Sequence, residues 1–160
     1  MKVVIIGGGP AGLMAGIEAA KYENEVTILE KMDSFGKKLR ITGKGRCNIT
    51  SSLPISDFIS NVPCNGKFLY SAFQNFSNDD IIQLLKEEGV EVKQERGNRI
   101  FPVSDKADDV LNALLRRCKK LGVNLKTKHK VNEILVVDGQ VNRSNSRRLS
   151  KQETRENICR

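Results

Sequence analysis

Within the first twelve residues an apolar run, Lys2–Ile6 (KVVII), feeds directly into Gly7-Gly8-Gly9-Pro10-Ala11-Gly12. Few local sequences restrict a fold as much. The β-branched run suits a short strand buried on both faces. A helical pattern continues to about Lys21, with Leu13, Ile17 and Ala20 on one side. Pro10 falls in its first turn, where a missing N–H is no loss. Glu25–Glu30 (EVTILE) reads as a second strand, which completes β-loop-α-β within thirty residues. Gly7, Gly9 and Gly12 stand at the G-x-G-x-x-G spacing. In that arrangement Gly7 makes a tight turn, Gly9 admits a pyrophosphate against the backbone, and Gly12 lets helix and strand approach. Glu30 closes the second strand eighteen residues after Gly12, where its carboxylate can accept hydrogen bonds from ribose hydroxyls. The bland alternative is an ordinary strand–helix turn with a solvated glutamate. The complete strand, helix and acid context favours the nucleotide reading and an α/β, Rossmann-like fold.

A second block follows the acidic residue. Residues 36–46 hold three glycines and five cations, and Cys47 and Asn48 extend the block. It can present backbone N–H groups and positive charge to another part of a long, doubly negative cofactor, or simply form a solvated basic loop. Further on, helices are expected near 67–75 and 78–88, with Asn78 as cap and Gly89 as stop. A strand is expected over 90–95 and a turn at Gly97-Asn98. Ser104 caps an expected helix over 105–121 whose early aspartates and late cations complement the helix dipole. Two strands, 123–128 and 131–137, lead to Asp138-Gly139, a strong hairpin-turn signal. No apolar alternation follows the turn. The return strand is therefore expected to be missing, with residues 142–160 disordered.

Charge and cysteine usage narrow the remaining classes. The chain has 160 residues and a formal charge of +8. The 21 residues from Gln140 onward hold six basic and two acidic side chains, so they carry +4 of that excess. A modestly basic body with two tyrosines, no tryptophan and no RNP-like aromatic block argues against a nucleic-acid-binding protein. No apolar run is long enough for a signal-peptide core or a membrane span, and the expected location is the cytoplasm. Cys47, Cys64, Cys118 and Cys159 are too widely spaced for a C-x-x-C dithiol, so free thiols are expected, with Cys47 a small buried filler. His129, between two lysines, receives no catalytic role. Arg96, Arg99 and Lys106 face a pocket or form a charged turn. No catalytic acid, base or nucleophile is identifiable.

The blocks GGGPAGLMAGIEAA, GKKLRITGKGRCNIT, NGKFLYSAFQNFSNDD, ERGNRIFPVSDKADDVLNAL and HKVNEILVVDG resemble the N-terminal part of the aminoacetone-oxidase-like (BaiN-like) flavoproteins, a family of FAD-dependent NAD(P)/FAD oxidoreductases. The resemblance runs from Met1 to about Val141. It implies an incomplete two-dinucleotide-binding-domain flavoprotein fold, with a partial FAD-binding domain over 1–141 and a non-homologous tail over 142–160. It implies FAD as cofactor, with NAD(P)H a possible partner in a complete relative. By the same resemblance, Gly7, Gly9, Ala11 and Gly12 meet the pyrophosphate and Glu30 with Lys31 the adenosine ribose. Lys38, Thr42, Gly43, Gly45, Arg46, Cys47 and Asn48 line the middle and flavin end. Val131, in a K-V-x-E-I strand, offers backbone bonds to the adenine, or is simple core. Family members continue through a closing sheet strand into a substrate domain. A frameshift or early stop near Val141 would explain the foreign tail, leaving a nucleotide-binding fragment without activity as the alternative function.

Overall fold

The computed structural model describes residues 1–138 and 140–148. In chain order its elements are β1 (Lys2–Ile6), α1 (Pro10–Ala20), β2 (Glu25–Leu29), α2 (Lys37–Ile41), β3 (Thr50–Ser51), α3 (Ile55–Ser60), α4 (Tyr70–Asn75), α5 (Asn78–Glu87), β4 (Val92–Glu95), β5 (Arg99–Pro102), α6 (Ala107–Lys120), β6 (Asn124–Lys126), β7 (His129–Val137) and β8 (Gln140–Arg148). They fall into two compact units, Met1–Lys38 with the chain from Leu115 onward, and Leu39–Leu114.

The first unit is built on a parallel sheet of order β1-β2-β6. Lys2 pairs with Glu25 and Ile6 with Leu29, while Thr27–Leu29 pair with Asn124–Lys126. Helix α1 crosses between β1 and β2 and turns Leu13 and Ile17 inward against Val26 and Ile28, all at most 2% exposed. Gly16 permits the contact, because a Cβ there would lie 2.7 Å from Ile28 Cδ1. The buried Cys118 thiol closes this core with a 3.7 Å contact to Leu13 O. One expectation is corrected here. Val4 and Ile6 are 50% and 54% exposed, so β1 is not buried on both faces. It pairs with β2 alone among the described residues, and α1 covers only the face that carries Ile5.

A second correction concerns the hairpin. The return strand is present: β8 pairs antiparallel with β7 from Val137↔Gln140 to His129↔Arg148, with two register shifts. A two-stranded ladder uses backbone groups that every residue here carries, whereas the composition of 140–148 reports only that little of it can be buried. The expected disorder of 149–160 lies outside the described residues.

The second unit holds an antiparallel sheet of order β3-β5-β4. Gly97 and Asn98, both at positive φ, make the expected β4–β5 turn. Ser77, rather than Asn78, caps α5: its hydroxyl accepts from Asp80 N while the Asp80 carboxylate accepts from Ser77 N. Asn78 is instead buried, donating to Ser51 O and Leu53 O at 2.8 and 3.1 Å. Leu84, Leu85, Ile100, Phe101, Leu111 and Leu114 fill the core.

Candidate nucleotide-binding site

In the first unit the glycine segment is held from several sides. The Gly7 amide donates to Leu29 O at 2.8 Å, which fastens the turn to the end of β2. Its φ of +105° lies in the region open to glycine. Gly12 packs directly on this turn: a Cβ there would lie 2.0 Å from Gly7 O. Gly9 differs. It is the N-cap of α1 in extended conformation (φ −79°, ψ 179°), and no heavy atom lies within 4 Å of where its Cβ would be.

The N-terminus of α1 therefore opens onto free space with unused donors. No side chain caps it, and no acidic residue stands in its first turn. Among the described residues no acceptor meets the amides of Gly9, Ala11 or Gly12. Pro10 has no N–H to offer. Three N–H groups at the positive end of a helix dipole, beside space that the absence of a Gly9 side chain leaves open, suit an anionic pyrophosphate.

Glu30 sits immediately beyond β2. Its Oε2 accepts from the Gly8 amide at 2.7 Å and its Oε1 from the Met32 amide at 2.8 Å. Its own backbone is tied on both sides, with Glu30 N donating to Lys126 O at 2.8 Å and Glu30 O accepting from His129 N at 2.9 Å. The carboxylate is thus fixed beside the glycine turn, and each oxygen keeps a second lone pair for a ribose hydroxyl. Lys31 and Lys38 are exposed, and Val131 is half-buried on β7 opposite Ser146. Gly8 and Phe35 are the residues that sequence reasoning missed. The ring of Phe35, 8% exposed, lies against Gly8, and the Gly36 amide donates to Gly8 O at 2.9 Å. The middle glycine of the GGG run, to which the G-x-G-x-x-G spacing gives no task, was the available signal.

In the second unit, Thr42–Asn48 form a tight loop of unusual backbone. Gly43, Lys44, Gly45 and Cys47 all have positive φ, two of them with side chains. At Lys44 and Cys47, which carry a Cβ, such conformations cost about 1 kcal/mol or more each and persist only where surroundings impose them. The loop is closed by Cys47 N donating to Thr42 O at 3.0 Å and by the Thr42 hydroxyl donating to Leu39 O at 2.7 Å. Arg46 is engaged inside this unit. Its Nη1 lies 2.8 Å from Glu95 Oε1 and 3.4 Å from Asp105 Oδ1, and its guanidinium stacks on Phe101 at 4.3 Å. Lys93 completes the network with Asp105 at 2.7 Å. The Glu95 carboxylate, then Asp105, hold the Arg46 pKa above its ordinary value, and Arg46 acts here as a brace for the loop. Burial pushes the Cys47 thiol pKa up against a smaller opposing bond to Thr42, as suits a buried filler. Arg99 donates to Arg96 O at 3.0 Å, which gives that segment the character of a turn. Among the described residues no cluster of His, Cys, Asp or Glu could hold a metal ion, and no helix is long and apolar enough to cross a membrane.

Known proteins similar to this chain bear on its family and fold. The chain is 32% identical over 152 residues to a 3-dehydro-bile acid delta(4,6)-reductase of Clostridium scindens, covering 92% of this chain and 36% of that protein. It is 27% identical over 132 residues to a ribosomal RNA dihydrouridine synthase of Haemophilus influenzae, covering 82% and 32%. The chain thus spans about a third of the length of these curated relatives. Among solved structures, a 3-ketosteroid-delta4-(5alpha)-dehydrogenase from Rhodococcus jostii superposes with a TM-score of 0.67 at 17% identity, covering 93% of this chain and 42% of that one. An L-proline dehydrogenase from P. horikoshii gives 0.60 at 14% identity, covering 91% and 48%. These likenesses bear on the fold alone and agree with a helix-flanked parallel sheet. The family described as HI0933-like protein Rossmann domain matches residues 1–158, well past the expected limit at Val141. The chain belongs to that family and carries an FAD-binding Rossmann domain.

Proposed function

We propose that the first unit receives the adenine-nucleotide half of FAD. The pyrophosphate lies over Gly9 against the amides of Gly9, Ala11 and Gly12, the ribose hydroxyls meet Glu30 with Lys31 alongside, and the Val131 backbone serves the adenine. The observation that carries this is the open space at Gly9 with three unaccepted amides around it. For Lys38 and for Thr42, Gly43, Gly45 and Asn48, a role along the middle and flavin end rests on the resemblance. Arg46 and Cys47 join that proposal as the parts that hold the loop in its left-handed form. Bound flavin supplies the redox chemistry, while the protein orients it and excludes water.

For the whole protein the proposed activity is flavin-dependent oxidoreduction, with NAD(P)H as the source of reducing equivalents in the manner of the aminoacetone-oxidase-like flavoproteins. Titration of the purified chain with ADP and FAD tests the first part, with saturable binding of both expected. A flavin absorbance spectrum and an NAD(P)H oxidation assay then separate a turning-over enzyme from a cofactor-binding portion without activity. Absence of both ADP and FAD binding by soluble, folded protein would refute the proposal.

A further inference from the structure

We propose that Phe35 is a positioning residue for the nucleotide: with Glu30 and Gly36 it clamps the Gly8 peptide and so aims the amides that follow it. This rests on the nucleotide-binding reading above. The clamp grips Gly8 on three sides from one short segment, Glu30–Gly36. The Gly8 N–H is taken by Glu30 Oε2 at 2.7 Å, and its carbonyl by the Gly36 amide at 2.9 Å. The Phe35 ring covers the remaining side so closely that a Cβ on Gly8 would lie 2.2 Å from Cδ1, 2.6 Å from Cε1 and 3.0 Å from Glu30 Cβ. Lys37 and Asp33 pair at 2.7 Å across the same turn and brace it. Gly8 therefore donates nothing to a phosphate. The peptide groups on either side of its Cα are each fixed by one of these bonds and together set the direction in which Gly9 leaves, and with it the entry into α1. Loss of the ring leaves the two peptide groups that flank Gly8 free to tilt, each about its one hydrogen bond, and the amides of Gly9, Ala11 and Gly12 then converge on no single point.

Phe35→Ala, Phe35→Leu, Gly8→Ala and the double variant Gly8→Ala/Phe35→Ala test this, with Val123→Ala as an equally buried control in the same unit. ADP affinity is titrated well below each melting temperature, and hydrogen exchange of the Gly8 amide is followed by NMR. Phe35→Ala and Gly8→Ala should each weaken ADP binding by about tenfold or more. The double variant should be no worse than either single change, because the new methyl occupies space the ring has left. Phe35→Leu should recover most of the affinity, and Val123→Ala should lower the melting temperature without moving the Kd. Unchanged ADP affinity in folded Phe35→Ala, or single effects that simply multiply in the double variant, would overturn the proposal. Failure of the unaltered protein to bind ADP would instead remove the nucleotide reading. The Gly8 exchange rate then still decides the clamp, since acceleration in Phe35→Ala upholds it and no change refutes it.

Discussion

Gly9 and Gly12 belong to the same motif, yet the structure sets them apart, and alanine at each should fail for different reasons. At Gly9 the backbone (φ −79°, ψ 179°) is one that alanine adopts freely, and nothing lies within 4 Å of the new Cβ. Gly9→Ala should therefore leave stability within about 0.5 kcal/mol, or raise it by up to about 1 kcal/mol through the less flexible unfolded chain. The new methyl occupies the space assigned to the pyrophosphate. Displacing the phosphates from even one charge-assisted amide bond should weaken binding by about 1.5–3 kcal/mol, roughly 10- to 150-fold in Kd. At Gly12 the new Cβ would stand 2.0 Å from Gly7 O and 3.1 Å from Gly7 C, both backbone atoms that cannot swing aside. Gly12→Ala should accordingly destabilise by about 1–3 kcal/mol or more before any ligand is considered. Urea unfolding and calorimetric titration with ADP, run on both variants, read the two quantities separately. A stable Gly9→Ala protein with undiminished ADP affinity would show that the pyrophosphate does not lie over Gly9. Equal destabilisation by the two substitutions would show that the space at Gly9 is not open.

Further outcomes follow from other parts of the molecule. Glu30→Ala removes the acceptor of the Gly8 and Met32 amides and should weaken ADP binding by about 1–3 kcal/mol, with unchanged affinity counting against the ribose assignment. Asp105 is held below its ordinary value of 3.8, first by the hydrogen bond from Lys93 and then by the charges of Lys93 and Arg46. Its contribution is therefore present above 3.8 and lost as the pH falls through the depressed folded value. Asp105→Asn, which tolerates the same positive φ, should flatten the acid limb of a stability profile; an unaltered limb would exclude Asp105 as its origin. Burial pushes the Cys118 thiol from 9.0 up to about 11, so its contribution is complete below 9.0 and declines as the pH rises towards about 11. Cys118→Ala should remove that alkaline loss in unfolding experiments. Peptide mapping after brief alkylation should find the exposed Cys64 modified well before buried Cys47 and Cys118. On β1, Val4→Lys with Ile6→Lys should reduce concentration-dependent light scattering without shifting ADP affinity. Unchanged scattering would show that this exposed apolar face does not drive association.

Local rules decided much of this protein at the level of sequence. The first βαβ unit is written in contiguous residues: a β-branched run, a glycine turn, Pro10 in the first helical turn and an acid at the end of the second strand. Each of those signals acts within a few residues, which is why the order of elements could be read from them. The same holds for the charge order of α6, with Asp108 and Asp109 early and Arg117, Lys119 and Lys120 late. What the tertiary structure decided lies where a residue's environment comes from far along the chain. The composition of β1 speaks of burial, but burial needs something on each face, and the face of Val4 and Ile6 is open. The polar 140–148 segment speaks against a core, but β8 forms because ladder bonds ask for backbone and not for apolar side chains. The partner of Arg46 is likewise set at a distance: its guanidinium meets Glu95, 49 residues away, which no local spacing announces. Gly8 and Phe35, 27 positions apart, became part of the candidate site only when the fold brought a ring against a glycine. Sequence spacing reports periodicity and local backbone preference, whereas the identity of a cross-chain neighbour is set by packing, and packing exists only in the folded chain.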